Sequence, residues 1–151
     1  MADARTVGII FHQEDNKSFE AVQRFVETLA KEGKQISVIG YIESKIIPDI
    51  YLLRKGYSFF CLKDLNWFCS PKPSFVYDFI EKDFDLLINL SIDSLFPVEY
   101  IYALSKAKFK VGKYTNGSEH ADLLIDIKSS RDINYLIQQI IYYLSIINKK
   151  Q

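Results

Sequence analysis

"TVGIIFHQEDNKSFEAVQRFVETLAKEGKQISVIGY", residues Thr6 to Tyr41, is the stretch that decides the fold. Thr6 to Phe11 is a short apolar run rich in β-branched residues, and the polar cluster HQEDNKS follows it at once. That combination predicts a buried strand and a loop. Ser18 is placed to cap a helix, with Asp15 or Asn16 assisting. Its apolar residues Phe19, Val22, Phe25, Val26 and Leu29 recur at steps of three and four as far as Gly33. QISVIGY (Gln35 to Tyr41) then closes a strand–helix–strand unit, which normally makes a right-handed crossover between parallel strands.

The same alternation runs through the rest of the chain. After Pro48, Ile50 to Leu53 reads as a short helix, and Tyr57 to Leu62 as a third strand entering a loop ended by Pro71 and Pro73. Ser74 is placed to cap a helix carrying Phe75, Phe79 and Ile80, and Asp85 to Ser91 is the next buried strand. A helix in VEYIYALSK leads to AKFKVGKY, where Lys106, Lys108 and Lys110 alternate with Ala107, Phe109 and Val111 in the two-residue period of a strand with one wet face. Ala121 to Ile127 is a last strand before a helix from about Asp132. The stripe Ile133, Leu136, Ile137, Ile140, Ile141, Leu144 and Ile147 fits that helix and no strand. The whole predicts one domain over residues 1–151. It is α/β, a three-layer α/β/α Rossmann-like arrangement of about six mostly parallel strands with helices on both faces.

Composition narrows the function classes. Nineteen basic side chains balance nineteen acidic ones, which argues against a broad nucleic-acid face. The start MADARTVGIIF lacks the pattern of a secretory signal, and no run reaches the length of a membrane span, so a cytoplasmic location is expected. The two cysteines, Cys61 and Cys69, then read as free thiols. Cys61 fits the strand as a small buried hydrophobe, and Cys69 is the more exposed and reactive of the two.

In an open sheet of this kind ligands bind outside the carboxyl ends of the strands. Five loops are therefore of interest: HQEDN, IESK, KDLNWF, SIDS and GKYTNGSEH. The first has no glycine after Gly8, and the chain holds neither a dinucleotide fingerprint nor a GxxxxGK[ST] phosphate loop, so no nucleotide cofactor is expected. His12, Glu14 and Asp15 are metal-ligating and acid–base residue types, but their spacing matches no metal signature and reads as a solvated approach to the helix. His120 between Glu119 and Asp122 reads the same way, and no GxSxG elbow supports a serine triad. The lysines of KAKFKVGK suit an anion, although edge protection of a strand is the preferred reading. The two cysteines of CLKDLNWFCS offer too few ligands for zinc, and no metal is expected. In that loop Trp67 and Phe68, with Leu65, are expected to tuck back over the sheet end. Lys63, Asp64 and Asn66 would then face the ligand side.

Two resemblances follow. VGIIF, KDLNWF, FDLLINLS, YIYALSKAKFKVG, DLLIDI and LIQQIIYYLSIIN together resemble an uncharacterised bacterial family of short α/β proteins, a domain of unknown function. That resemblance implies the same sheet and brings no catalytic residue. FDLLINLS, a helix and AKFKVG are also similar to a segment of heptosyltransferase-type glycosyltransferases, with Asn89 where an aspartate is common. No donor-binding second domain is expected, and a complete enzyme of that kind is not.

Two functional readings stand, and whether the chain is an enzyme stays open between them. The first is a noncatalytic binding or assembly module, with an unknown protein partner or self-association through Ile140, Tyr143 and Ile147. The second is a small enzyme or ligand binder for a nucleotide-sugar or other phosphorylated metabolite. In it Lys63 and Lys113 hold the anion, Asp64 or Asp93 is the base and Trp67 is a stacking wall, with His12, Glu14, Asp15 and Asn66 on the neighbouring loops.

Overall fold

The computed structural model describes residues 3–52, 55–115 and 120–149. Among the described residues, six strands form one sheet: β1 (Thr6–Gln13), β2 (Gln35–Ile42), β3 (Tyr57–Cys61), β4 (Leu86–Asn89), β5 (Lys110–Lys113) and β6 (Leu123–Ile125). All five pairings are parallel, and the strand order is β3-β2-β1-β4-β5-β6. This is the doubly wound order in which the chain reverses direction across the sheet between β1 and β4. The helices are α1 (Asn16–Lys31), α2 (Asp49–Leu52), α3 (Ser74–Glu81), α4 (Phe96–Leu104) and α5 (Ile133–Lys149).

The sheet feeds two cores, one on each face. Val7, Ile9 and Phe11 of β1 and Leu86 and Ile88 of β4 pack with Phe19, Val22 and Phe25 of α1 and Leu136, Ile137 and Ile140 of α5. Ile10, Ile39, Tyr41 and Leu87 point the other way, into Val76 and Ile80 of α3 and Val98 and Ile101 of α4. Burial on both faces is why the strands read as continuous apolar runs. The close fit is clearest at Gly40, where a Cβ atom would lie 2.7 Å from the Phe59 ring and 2.9 Å from that of Phe11.

Several local details differ from the sequence reading. Asp15 holds the N-cap of α1, its Oδ1 accepting the backbone N–H of Ser18 at 2.8 Å, so Ser18 is the capped residue and not the cap. Pro73 occupies the N-cap of α3 without a side-chain bond, which Ser74 had been expected to supply. The short helix spans Asp49–Leu52, and Leu53 lies outside the described residues. The lysine-rich strand begins only at Lys110 and lies inside the sheet between β4 and β5's other neighbour, β6, so its lysines protect no edge. They are engaged individually instead. Lys106 pairs with Glu81, Lys108 with Asp85, and the Nζ of Lys110 donates to the Ala103 carbonyl at 3.2 Å.

The C-terminal helix corrects the expected interaction surface. Ile140 is 0% exposed, seated between α1 and the sheet, so it is a core residue that no partner can reach. Tyr142 and Tyr143 lie outward, their rings meeting edge to face with centroids 5.2 Å apart, while Ile147 is half-buried. Among the described residues, no helix is long and apolar enough to cross a membrane.

Candidate functional site

Strand register builds the switch point. Ile10 of β1 stands opposite Asn89 of β4, and the N–H of Leu90 donates to the Ile10 carbonyl at 2.8 Å. β4 ends at Asn89, and the chain continues through Ser91 to Asp93, whose carboxylate meets His12 and Glu14. Leu90 and Ile92 enter the α1–α5 core, so Ser91 between them turns to the opposite face. His12 is on that face as well, opposite Tyr41 in the β1–β2 register, with the two rings 6.0 Å apart.

The side chains converge. Nδ1 of His12 is 3.6 Å from Oε1 of Glu14, and donor atoms of His12, Glu14 and Asp93 all lie within 4.8 Å of one another. Arg131 closes the group from the loop before α5. Its Nη1 donates to Oδ1 of Asp93 at 2.9 Å and its Nη2 to Oδ2 at 2.8 Å, while the same Nη2 reaches Oε1 of Glu14 at 3.3 Å. This two-pronged grip matches the planar guanidinium to the carboxylate.

The electrostatics divide the two carboxylates. Arg131 holds the Asp93 carboxyl well below the usual carboxylate range. Burial first, and then the neighbouring Asp93, push Glu14 upward, so Glu14 takes the first proton of the pair. Burial also lowers the pKa of His12, against the opposing pull of Glu43 and Asp93. Glu14 and Asp93 therefore bear on the Arg131 guanidinium, and Glu43 and Asp93 on the His12 imidazole. The charge of this group is suited to a cation and not to a phosphate. Its donor set, one imidazole and two carboxylates, is of the kind that holds a divalent metal.

The remaining residues singled out in the sequence do not join this group. Asp15 is committed to capping α1. Lys113 donates to the Ile92 carbonyl at 2.9 Å. Lys63, Asp64, Asn66 and Trp67 follow β3, which the strand order places at the sheet edge, two strands from β1. At about 4.8 Å per strand, the end of β3 from which they depart stands about 10 Å to the side of β1. Arg131 and Glu43 were not singled out. Arg131 belongs to the sixth loop, KSSRD, and the rule that selected five strand-end loops would have found it if extended to β6.

The β3–α3 loop forms a second feature. A 3₁₀ turn at Leu62–Asp64 opens it, with the Asp64 carboxylate accepting the Cys61 N–H at 2.9 Å. Leu65 and Pro71 pair as an isolated antiparallel bridge at its base. Between them Oδ1 of Asn66 accepts the N–H groups of Phe68 at 2.9 Å and Ser70 at 3.0 Å, and the Asn66 N–H donates to the Ser70 carbonyl at 2.8 Å. Cys69 adopts the left-handed conformation that closes the turn, at φ 65°. The loop is thus a fastened hairpin whose tip is Trp67, 92% exposed, and Phe68, 77% exposed. The expected tuck over the sheet end does not occur, because these bonds hold both rings outward while Leu65 alone packs on the core.

The base of this hairpin continues into an aromatic surface. The hydroxyl of Tyr77 on α3 donates to the Pro71 carbonyl at 2.7 Å. The Tyr77 ring meets Tyr100 of α4 edge to face at 6.5 Å, and Tyr100 meets the exposed Phe96 at 5.9 Å.

A family profile matches residues 1–147, nearly the whole chain, and its description is "Family of unknown function (DUF6913)". A search of curated proteins found no match.

Proposed function

We propose that this chain, which belongs to the DUF6913 family of unknown function, is a noncatalytic binding module that docks a protein partner through the aromatic surface headed by Trp67 and Phe68. The observation that carries this reading is the pairing of exposure with rigidity. Two large rings stand in solvent on a loop fixed by its own hydrogen bonds. Exposed aromatics on a loose loop would lose much of their contact energy to ordering, whereas a fastened loop has its binding geometry before contact. Tryptophan and other large aromatic anchors dominate the energetics of protein interfaces. Tyr77, Tyr100 and Phe96 extend the surface beside the loop, as an interface requires.

A second reading, a small-ligand binder at the carboxyl ends of the strands, is favoured by the convergence of His12, Glu14 and Asp93. A phosphorylated ligand does not suit their charge.

The test is site-specific photo-crosslinking in cells. A photoreactive side chain replaces Phe68, and a control replaces exposed Glu27 on α1. The docking reading expects a discrete adduct from position 68 that is absent from position 27 and is lost when Trp67→Asp is added. If the adduct is a dimer of this chain, the partner is a second copy. No adduct from position 68, or one indifferent to Trp67→Asp, contradicts the reading.

A further inference from the structure

Arg131 satisfies the two carboxylates of the switch point, but it leaves the third member of the group unserved. Among the described residues, Nδ1 of His12 is buried and has no hydrogen-bond partner. Ser91, 6% exposed, also buries its Oγ without a partner. The alternation of Leu90 and Ile92 into the opposite core turns Ser91 toward the face that carries His12. Buried polar atoms are paired in the great majority of cases, and an orphan points to an unrepresented water or ion. Here one orphan belongs to the cluster of metal-ligating groups itself, and the other lies two residues before its Asp93.

We propose that His12, Glu14 and Asp93 form a binding site for a first-row divalent transition-metal cation, with Ser91 or a water held by it as a further oxygen donor, and that Arg131 occupies the carboxylates when the metal is away. The distances suit this. Two ligand atoms each about 2.1 Å from a tetrahedral ion stand about 3.4 Å apart. Nδ1 of His12 and Oε1 of Glu14 are 3.6 Å apart. The bridging Nη2 of Arg131, 2.8 Å from Asp93 and 3.3 Å from Glu14, puts positive charge between the carboxylates. Arg131 donates to the two carboxylates and not to Nδ1 of His12, whereas a metal binds that nitrogen and both carboxylates together. Arg131 is exposed on its loop and is free to turn into solvent when a metal displaces it.

The imidazole sets the class of ion. Magnesium and calcium take oxygen donors, while zinc, cobalt and manganese accept the mixed set. The site is invisible to spacing rules because Asp93 comes from β4 and not from the local HQED sequence. It is independent of the aromatic surface, so its failure would leave the docking reading untouched.

The experiment is titration of the full-length, metal-stripped chain with Co2+, followed by visible absorption and calorimetry, in a Cys69→Ser background that removes the exposed thiol. The expected result is one Co2+ per chain, competed by Zn2+ and not by Mg2+. Binding should be lost in Asp93→Asn and in His12→Ala, with far-ultraviolet circular dichroism verifying that each variant is folded. Arg131→Gln should tighten binding by about tenfold, because it removes the competing charge-assisted contact. A chain that binds no Co2+ overturns the proposal, as does binding that survives both ligand variants. Unchanged affinity in Arg131→Gln overturns the role given to Arg131.

Discussion

Asp85 and Thr6 hold each other by reciprocal hydrogen bonds: the carboxylate Oδ2 of Asp85 accepts the Thr6 N–H at 3.2 Å, and the Asp85 N–H reaches Thr6 Oγ1 at 3.0 Å. The same Oδ2 also accepts the Arg5 N–H at 2.8 Å. The backbone N–H groups of Arg5 and Thr6, and then Lys108, hold the Asp85 carboxyl down at about 2. A carboxylate in an unfolded chain titrates near about 3.9, so the folded value is the lower one. Its contribution is therefore complete above about pH 4 and fades as pH falls toward about 2. Urea midpoints of the native chain and Asp85→Asn should differ at neutral pH and converge across that acid window. A gap that stays constant down to about pH 2 would contradict the assignment.

Gly40→Ala should destabilise the sheet by about 1–3 kcal/mol, the usual cost of forcing a carbon into a filled core. The added Cβ would sit 2.7 Å from the Phe59 ring, which is itself packed against Phe11, Phe19 and Tyr51. Urea unfolding measures the loss, and the companion change Phe59→Leu should recover part of it.

The two faces of α5 should respond differently. Ile140→Ala removes a fully buried side chain and is expected to cost about 2–5 kcal/mol. Tyr143→Ala, at an exposed position, should stay within about 0.5 kcal/mol. Equal costs in thermal or urea unfolding would mean that the helix is seated differently.

Thiol labelling separates the cysteines. Cys61 is buried, and that burial raises its pKa, while Cys69 is exposed. A disulfide reagent should therefore titrate one thiol per native chain quickly and the second only on unfolding. Cys69→Ser should abolish the fast phase.

Trp67→Ala should leave unfolding stability unchanged within about 0.5 kcal/mol, because the ring contacts solvent. A ring plugged into a core would cost about 3–5 kcal/mol. As the sole tryptophan, it should also emit like free indole and be quenched readily by acrylamide in the isolated chain.

Why some of this was legible in the sequence and some was not comes down to the range of the interactions. Thr6 to Phe11 and Gln35 to Tyr41 reveal their strands because both faces are buried, a property each segment carries in its own composition. The alternation of Lys106, Lys108 and Lys110 misleads, because a period of two records which residues are wet and says nothing about strand order. Asp93 meets His12 and Glu14 only because β4 pairs with β1, and Arg131 reaches Asp93 and Glu14 from beyond β6, contacts that no local pattern encodes. Trp67 was misread for a different reason. Apolar area favours burial, but Asn66 and the Leu65–Pro71 bridge fix the turn and hold the ring out.

Trp67 is the anchor on which the proposed docking turns. The direct measurement is oxidative footprinting of Trp67 in living cells and in the purified chain, with Tyr142 on α5 as an exposed internal reference. The account predicts strong protection of Trp67 in cells, with Tyr142 labelled alike in both settings. Equal labelling of Trp67 in cells and in isolation would contradict it.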